Sequence, residues 1–437
     1  MPVSHSGDRR REKFGSIQRG DSPLAGRRSP LVSSAAAAHP VKAAGFSVVD
    51  LGKSSRVSLM LTPEARGAFE DQARETLSTM AALLDKTPKM QVTSQTVFLK
   101  DLSTQAQCEQ ILTEHYGSNR PLTNFVFQPP CSGAALALEA WAIGGSEVQI
   151  ERFGPHVLAV SYDGVRWVHC SGICVGESSG GAYEQTISAL EQMQAALIKG
   201  GSDFRHVVRT WFCLGDITAT ENGKQRYMEL NRARTDFYNE IRFCCSLPVP
   251  TIPHGIYPAS TGIGMAGKGL NASCISLQTT RKDAFLLPLE NPLQTPAYAY
   301  PPKYSEKSPK FSRAKAFVQG RYVTTWISGT ASVVHSESRF FGDVAQQTIQ
   351  TIDNMQRLIA PENFAFHGIK GAGATLQDVA KIRVYLRHAK DLAVCKPICE
   401  ERFGSVPAIY AVADICRPEL LVEIEGVAFS RYEPIDI

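Results

Sequence analysis

The sequence predicts an α+β protein made of two similar α/β sandwich halves, each with a mixed sheet that carries helices on one face. Two observations indicate this class. A weak internal repeat relates "VRWVHCSGI", "YEQTISALEQMQAALIKGG" and "FRHVVRTWFCLGDI" to "VTTWISGTA", "VAQQTIQTIDNMQRLIA" and "LQDVAKIRVYLRHAKD". Within each copy, apolar residues follow the period of a strand, then that of a helix, then that of a strand again.

The elements of each copy follow in the same order. A β-rich segment ends in Ser-Gly, and the helix after it places apolar residues on one face, at Ile187, Leu190, Met193 and Leu197 in the first copy and at Ile352, Met355 and Ile359 in the second. The next strand, "VVRTWFCL" or "KIRVYL", is rich in β-branched and aromatic residues. A second helix begins near "YMELNRARTDFY" or "LAVCKPICEERFG", and "LLVEIEGVAF" predicts a closing strand.

The chain of 437 residues is long enough for more than one domain. Residues 1–44 are rich in Ser, Arg, Pro and Ala and lack apolar periodicity, which predicts a disordered tail. We expect the N-terminal half over 45–247 and the C-terminal half over 316–437.

A turn-rich and Pro/Tyr-rich loop over 248–315 is predicted to connect the halves. One interpretation is a surface linker. However, a linker rarely carries three tyrosines such as Tyr298, Tyr300 and Tyr304 within a few residues. Long ordered loops tend to carry function, so the composition favours a loop that forms part of a site.

Composition and charge exclude several classes of protein. Apolar residues make up 43% and charged residues 20% of the chain, as in soluble globular proteins. A net charge of +4 predicts no strong attraction to nucleic acid or to a membrane surface, and no apolar run reaches the length of about eighteen residues that a membrane span needs. The 11 cysteines are scattered, which is typical of reduced thiols in a cytoplasmic protein.

Five motifs in the second half resemble the Rid (YjgF) superfamily of chorismate mutase-like sandwiches. They are "ISGTAS", the helix with "QT" and "N", "GATLQDVAKIRVYL", "FGSVPA" and "VEIEGVA", spread over 316–430. Rid enamine/imine deaminases carry a substrate-binding arginine after the "FG…PA" motif, and here that position is Ile409. The deaminase reaction therefore stays an alternative that lacks its expected arginine.

The ordered chain as a whole resembles the chorismatases, which fuse two Rid-like halves. The motifs are "QPPCSGAALALEAWA", "YMELNRARTDFY", "IYPASTGIG" and "CRPELLVEIEG". The resemblance implies hydrolysis of chorismate to pyruvate and either a hydroxybenzoate or a dihydroxycyclohexadiene carboxylate. Neither a metal nor an organic cofactor is implied, and a small molecule, chorismate, is the expected partner. Because Rid-like domains usually form trimers, we expect a homotrimer.

Glu423 is the candidate catalytic residue. Cleaving an enolpyruvyl ether requires a proton on its terminal methylene, and a carboxylic acid whose pKa is raised by burial or by a like charge can supply it. Glu423 and Glu425 are two apart in an apolar strand, so both side chains share one face. Strand periodicity alone leaves open that this face is solvated. The chorismatase resemblance places the catalytic glutamate at Glu423.

Two Tyr–Arg pairs are candidates for binding the two carboxylates of chorismate. The planar fork of arginine matches a carboxylate with two hydrogen bonds. Tyr227 and Arg234 share one face of a predicted helix, whereas Tyr300 and Arg313 lie in and after the Pro-rich loop. The resemblance implies that such pairs hold the substrate carboxylates.

Three further residues complete the predicted site. Two roles stay open for Arg383, which either faces the site or pairs with one of the two glutamates. The resemblance implies that Thr261 lies near the substrate ring. Cys416 stands where chorismatases that form 3-hydroxybenzoate have a cysteine, which favours that product, although a buried cysteine is commonly inert. A non-catalytic metabolite-binding protein on the same scaffold is the remaining alternative.

Overall fold

Three six-stranded mixed sheets share one strand order. The computed structural model describes residues 38–87, 89–244 and 256–434. In every sheet, an antiparallel meander of three strands is followed by a helical segment, a fourth strand, another helix and a fifth strand parallel to the fourth. The sixth strand then inserts between the third and the fourth. The same α/β unit therefore occurs three times in the described chain.

The first sheet occupies residues 41–144. Its strand order is β1-β2-β3-β6-β4-β5, and β5 is parallel to β4. Its elements are β1 Val41–Ala43, β2 Phe46–Asp50, β3 Ser55–Leu61, α1 Phe69–Leu84, β4 Gln91–Leu99, α2 Gln105–Tyr116, β5 Leu122–Val126 and β6 Leu136–Gly144.

The second sheet occupies residues 149–279 and contains the first copy of the sequence repeat. Its strand order is β7-β8-β9-β14-β10-β13, and a short hairpin, β11–β12, precedes helix α4. Its elements are β7 Gln149–Arg152, β8 Val157–Tyr162, β9 Val165–Val175, α3 Ala182–Lys199, β10 Val207–Gly215, β11 Thr220–Glu221, β12 Lys224–Gln225, α4 Arg226–Tyr238, β13 Ala259–Met265 and β14 Leu270–Thr279.

The third sheet occupies residues 284–431 and contains the second copy. Its strand order is β15-β16-β17-β22-β20-β21. Its elements, with the hairpin β18–β19, are β15 Ala284–Leu289, β16 Ala314–Gln319, β17 Tyr322–Ala331, β18 Val333–Val334, β19 Glu337–Ser338, α5 Val344–Ile359, α6 Pro361–Phe366, β20 Val379–Leu386, α7 Leu392–Phe403, β21 Ala408–Val412 and β22 Val422–Arg431.

The predicted α+β class with mixed sheets is confirmed, and the repeat is threefold where the sequence indicated two copies. The unit over 41–144 shares little sequence with the other two copies. Ser94, for example, occupies the position that Arg209 and Lys381 hold in those copies. Residues 259–289, assigned above to the connecting loop, form three strands. The predicted tail lies outside the described residues up to position 37, and its last residues form β1.

Helices cover one face of each sheet, and the opposite faces of the three sheets pack against one another. Ile352 and Met355 of α5 pack with Val422 and Ile424 of β22 on the helix side. Val427, also of β22, packs instead with apolar residues of the other two sheets. Side chains alternate along β22, so Glu423 and Glu425 lie on the same face as Val427. Both therefore point between the sheets. No helix of the described residues is long and apolar enough to cross a membrane.

Candidate active site

A cavity of about 310 Å³ opens where the second and third sheets meet. Helix α4, strand β22 and the loop before β16 contribute to its wall. This volume is at the lower end of the range typical of small-molecule sites. Six of the predicted site residues line it, namely Tyr227, Arg234, Tyr300, Arg313, Cys416 and Glu423.

Glu423 lies in the cavity wall and is only 4% exposed. Burial, and then the negative charge of Glu425, raises the pKa of Glu423 from 4.5 to about 8, although Arg209 and Arg313 oppose the shift. Gly329 of β17 packs against this carboxyl, because a Cβ at that position would overlap the Glu423 carboxyl oxygen. The carboxyl is therefore protonated at neutral pH and faces the cavity.

Glu425, two residues further along β22, has the opposite electrostatic environment. Its carboxylate accepts hydrogen bonds from Arg209 (2.6 Å) and Trp211 (3.0 Å) and lies 3.3 Å from the Arg383 guanidinium. Burial alone would raise the pKa of Glu425, but the two arginines outweigh it and the pKa is lowered. One strand thus carries a neutral acid beside an ionised one, because their environments push the two pKa values apart.

Arg234 reaches the cavity from α4 and is 1% exposed. Its Nη2 donates to Asn231 Oδ1 (2.7 Å) and its Nη1 to the Ser260 hydroxyl (3.2 Å). Its Nε has no partner among the described residues. Tyr227 lines the same cavity from the start of α4, and burial raises the pKa of its phenol, which keeps it neutral.

Arg313 and Tyr300 form the predicted pair directly. The Nη2 of Arg313 donates to the Tyr300 hydroxyl (2.6 Å) and to the Thr295 carbonyl (3.0 Å). Within the described chain, Nε of Arg313 is buried without a partner. No carboxylate is within ion-pair distance of Arg234 or Arg313 in the described residues, so both guanidinium groups keep charge that an anionic ligand can use.

Thr261 and Arg383 lie behind the cavity wall rather than on its surface. The Thr261 hydroxyl donates to Glu425 and accepts from the Gly329 amide (3.0 Å), so the fold already uses it. Arg383 forms ion pairs with Glu139 and with Glu425. The geometry therefore favours the ion-pair role for Arg383. Thr261 lies behind the cavity wall, whereas the sequence predicted it on the surface near the substrate ring.

Other residues that line the cavity were not predicted from the sequence. Asn231 is buried, orients Arg234 and keeps an unpartnered Nδ2. The guanidinium of Arg417 lies 4.1 Å from the centre of the Tyr304 ring at the cavity. The position of Asn231 three residues before Arg234 on one helix was an available signal, whereas nothing in the sequence paired Arg417 with Tyr304.

Comparisons with known proteins identify the family. No family model matches the chain. The chain is 31% identical over 295 residues to a Streptomyces hygroscopicus protein named 3-hydroxybenzoate synthase, covering 66% of this chain and 80% of that one. It is 31% identical over 277 residues to a chorismatase of Streptomyces rapamycinicus, covering 61% of this chain and 78% of the relative.

The fold agrees with these relatives. A crystal structure of a chorismatase matches with a TM-score of 0.62 at 21% identity, over 85% of this chain and 98% of that one. The Streptomyces hygroscopicus relative, which is 31% identical and covered over 80% of its length, shows shared descent. The chain belongs to the chorismatase family.

Proposed function

We propose that the protein cleaves the enolpyruvyl ether of chorismate and releases pyruvate. The observation that carries the proposal is a neutral, buried Glu423 in one cavity with Arg234 and Arg313. Chorismate carries two carboxylates, and Arg234 and Arg313 line the cavity without an ion-pair partner among the described residues. The names of the relatives, chorismatase and 3-hydroxybenzoate synthase, support the same substrate.

The reaction begins when Glu423 gives its proton to the terminal methylene of the enol ether, which becomes a methyl group. Positive charge develops on the ether carbon, and the Glu423 carboxylate, now ionised, stabilises it. When water adds to that carbon, the hemiketal collapses, its bond to the ring oxygen breaks, and pyruvate leaves with the dihydroxycyclohexadiene carboxylate. A proton from the water returns to Glu423.

We propose 3-hydroxybenzoate as the ring product. It forms when the dihydroxycyclohexadiene carboxylate loses one molecule of water and its ring becomes aromatic. The water consumed in the cleavage is released in this step, so 3-hydroxybenzoate and pyruvate together contain the atoms of chorismate. Cys416 lines the cavity, and burial followed by the charge of Glu423 raises the pKa of its thiol to about 12. It therefore stays a neutral thiol beside the ring. The relative named 3-hydroxybenzoate synthase supports this product.

The test is the purified protein with chorismate. We expect pyruvate in a coupled lactate dehydrogenase assay and an equal amount of 3-hydroxybenzoate by liquid chromatography and mass spectrometry. Glu423→Gln should lose turnover and keep a cooperative melting transition, whereas Glu433→Gln, at an exposed position near the chain end, should retain both. Unchanged chorismate would refute the proposal, and binding without turnover would favour the metabolite-binding alternative.

Nothing in the cavity favours the deaminase alternative. Ile409, at the position where the Rid deaminases have their arginine, is 1% exposed and packs in an apolar cluster with Tyr385 and Ile263. It is not part of the cavity wall. Ammonia release from 2-aminoacrylate in place of pyruvate release from chorismate would reverse this choice.

A further inference from the structure

A second carboxyl in a buried position lies next to Arg313, outside the cavity wall. Glu290 follows β15 directly, and its Oε1 accepts the backbone N–H of Arg313 (3.3 Å). Its Oε2 and the Nε of Arg313 are both buried and have no hydrogen-bond partner among the described residues. The carboxyl thus contacts the main chain of Arg313 and interacts electrostatically with its guanidinium, and each of the two side chains keeps an unused polar atom within the described residues.

The backbone of Glu290 is fixed independently of that arginine. Its N–H donates to His367 Nε2 (3.1 Å), at the end of α6. Its carbonyl accepts from Asn363 Nδ2 (3.1 Å), a residue of the same helix. The backbone of Glu290 is therefore fixed by α6, and the bond from the Arg313 N–H is what directs its carboxyl toward that residue.

Glu290 is neutral at pH 7. Burial raises the pKa of its carboxyl from 4.5 to about 8, against the opposing effects of the Arg313 charge and backbone amide. The other titratable groups that face it are Tyr298, His367 and, across Arg313, Glu423. Burial raises the pKa of Tyr298 to about 12 and lowers the pKa of His367, so neither changes charge between pH 7 and pH 9.

We propose that Glu290 is a positioning residue that leaves the charge of Arg313 without a protein counter-ion at neutral pH, so that a substrate carboxylate takes that place. This inference rests on the proposed function, because it takes chorismate as the dianionic ligand. When Glu290 ionises, it becomes the counter-ion of Arg313 and competes with the ligand. Chorismate affinity then falls with rising pH, independently of the proton that Glu423 supplies.

The test measures chorismate binding rather than turnover. In a Glu423→Gln background, which removes both the chemistry and the titration of that residue, we expect the Kd of chorismate to rise about tenfold between pH 7 and pH 9. Adding Glu290→Gln should make the Kd nearly constant over this range. Adding Glu362→Gln, an exposed position on α6, should keep the rise.

A second measurement needs no change at Glu290. Because binding returns a proton to an ionised Glu290, calorimetry of Glu423→Gln with chorismate at pH 9 in buffers of different ionisation enthalpy should report uptake approaching one proton per ligand. A pH-dependent Kd in the double variant, or no proton uptake, would overturn the inference. Failure of the proposed function is distinguishable, because wild-type protein would then bind chorismate with this pH dependence and release no pyruvate.

Discussion

Raising the pH removes the proton that Glu423 needs for its proposed catalytic step. With a pKa of about 8, the carboxyl is about 90% protonated at pH 7 and about 10% at pH 9. We therefore expect kcat to fall about tenfold between pH 7 and pH 9, and about tenfold per further unit. The bound dianion raises the pKa of Glu423 further, so the midpoint of the decline in kcat lies at or above pH 8.

The assay is the initial rate of pyruvate release at saturating chorismate between pH 6 and pH 10. Returning samples from pH 10 to pH 7 separates titration from denaturation, and circular dichroism at each pH checks the fold. A kcat that is constant to pH 10 would refute the reasoning, as would a decline already centred near pH 5. Either result would mean that the carboxyl is not held neutral, or that another group supplies the proton.

The charge of Glu425 gives the same prediction a second test. Residues two apart on a strand are about 7 Å apart, so the repulsion between the two carboxylates is about 2 kcal/mol at an effective dielectric constant of about 20. Glu425→Gln should therefore move the decline in kcat between one and two pH units lower. A folded variant whose pH profile is unchanged would contradict the assigned role of Glu425.

Three further predictions concern stability and binding. The raised pKa of Glu423 contributes stability that is fully present below its unfolded pKa of 4.5 and is lost as pH rises through about 8. Glu423→Gln should therefore raise Tm relative to wild type at pH 8 and much less at pH 5. An equal shift in Tm at both pH values would contradict this. Arg234→Lys should lower kcat/KM by about a hundredfold because lysine lacks the planar fork, whereas Arg232→Lys on the same helix should change it little. Glu139→Gln leaves two buried cations without their shared carboxylate and should cost about 3–5 kcal/mol in urea unfolding, against less than about 1 kcal/mol for the exposed Glu147→Gln.

Local patterns in the sequence were sufficient to predict the repeated helices and strands. Leu190 and Met193, chosen from helical spacing, are fully buried on α3, and Met355 is buried at the matching position of α5. Strand alternation also predicted that Glu423 and Glu425 share a face. These features depend on neighbours close in the chain, where period and side-chain direction are fixed by the backbone.

Local sequence patterns could not predict contacts between parts of the chain that are far apart in sequence. Periodicity showed which face Arg383 occupies, but its partner Glu139 is 244 positions away in another sheet. The sequence left a pairing of Arg383 with Glu423 or Glu425 open, and Glu425 is indeed one of its partners. Because the first sheet carries little of the repeat, nothing in the sequence indicated Glu139 as the other. The same reason applies to Glu290, whose neighbour Arg313 is brought beside it by the pairing of β15 with β16.

The threefold repeat explains why two acids on one strand differ in environment. In each sheet the sixth strand pairs with the fourth, and the register after the bulge sets Glu425 opposite Arg383 and, in the first sheet, Glu139 opposite Thr96. An acid at this position therefore occurs twice, and both acids belong to the buried ion-pair network. Two residues earlier, the position of Glu423 is held by Ala137 in the first sheet and Asn271 in the second. Glu423 has no ion-pair partner among the described residues and costs stability as it ionises, so the ion-pair network of the scaffold does not account for an acid at this position, as expected if Glu423 is the proposed proton donor.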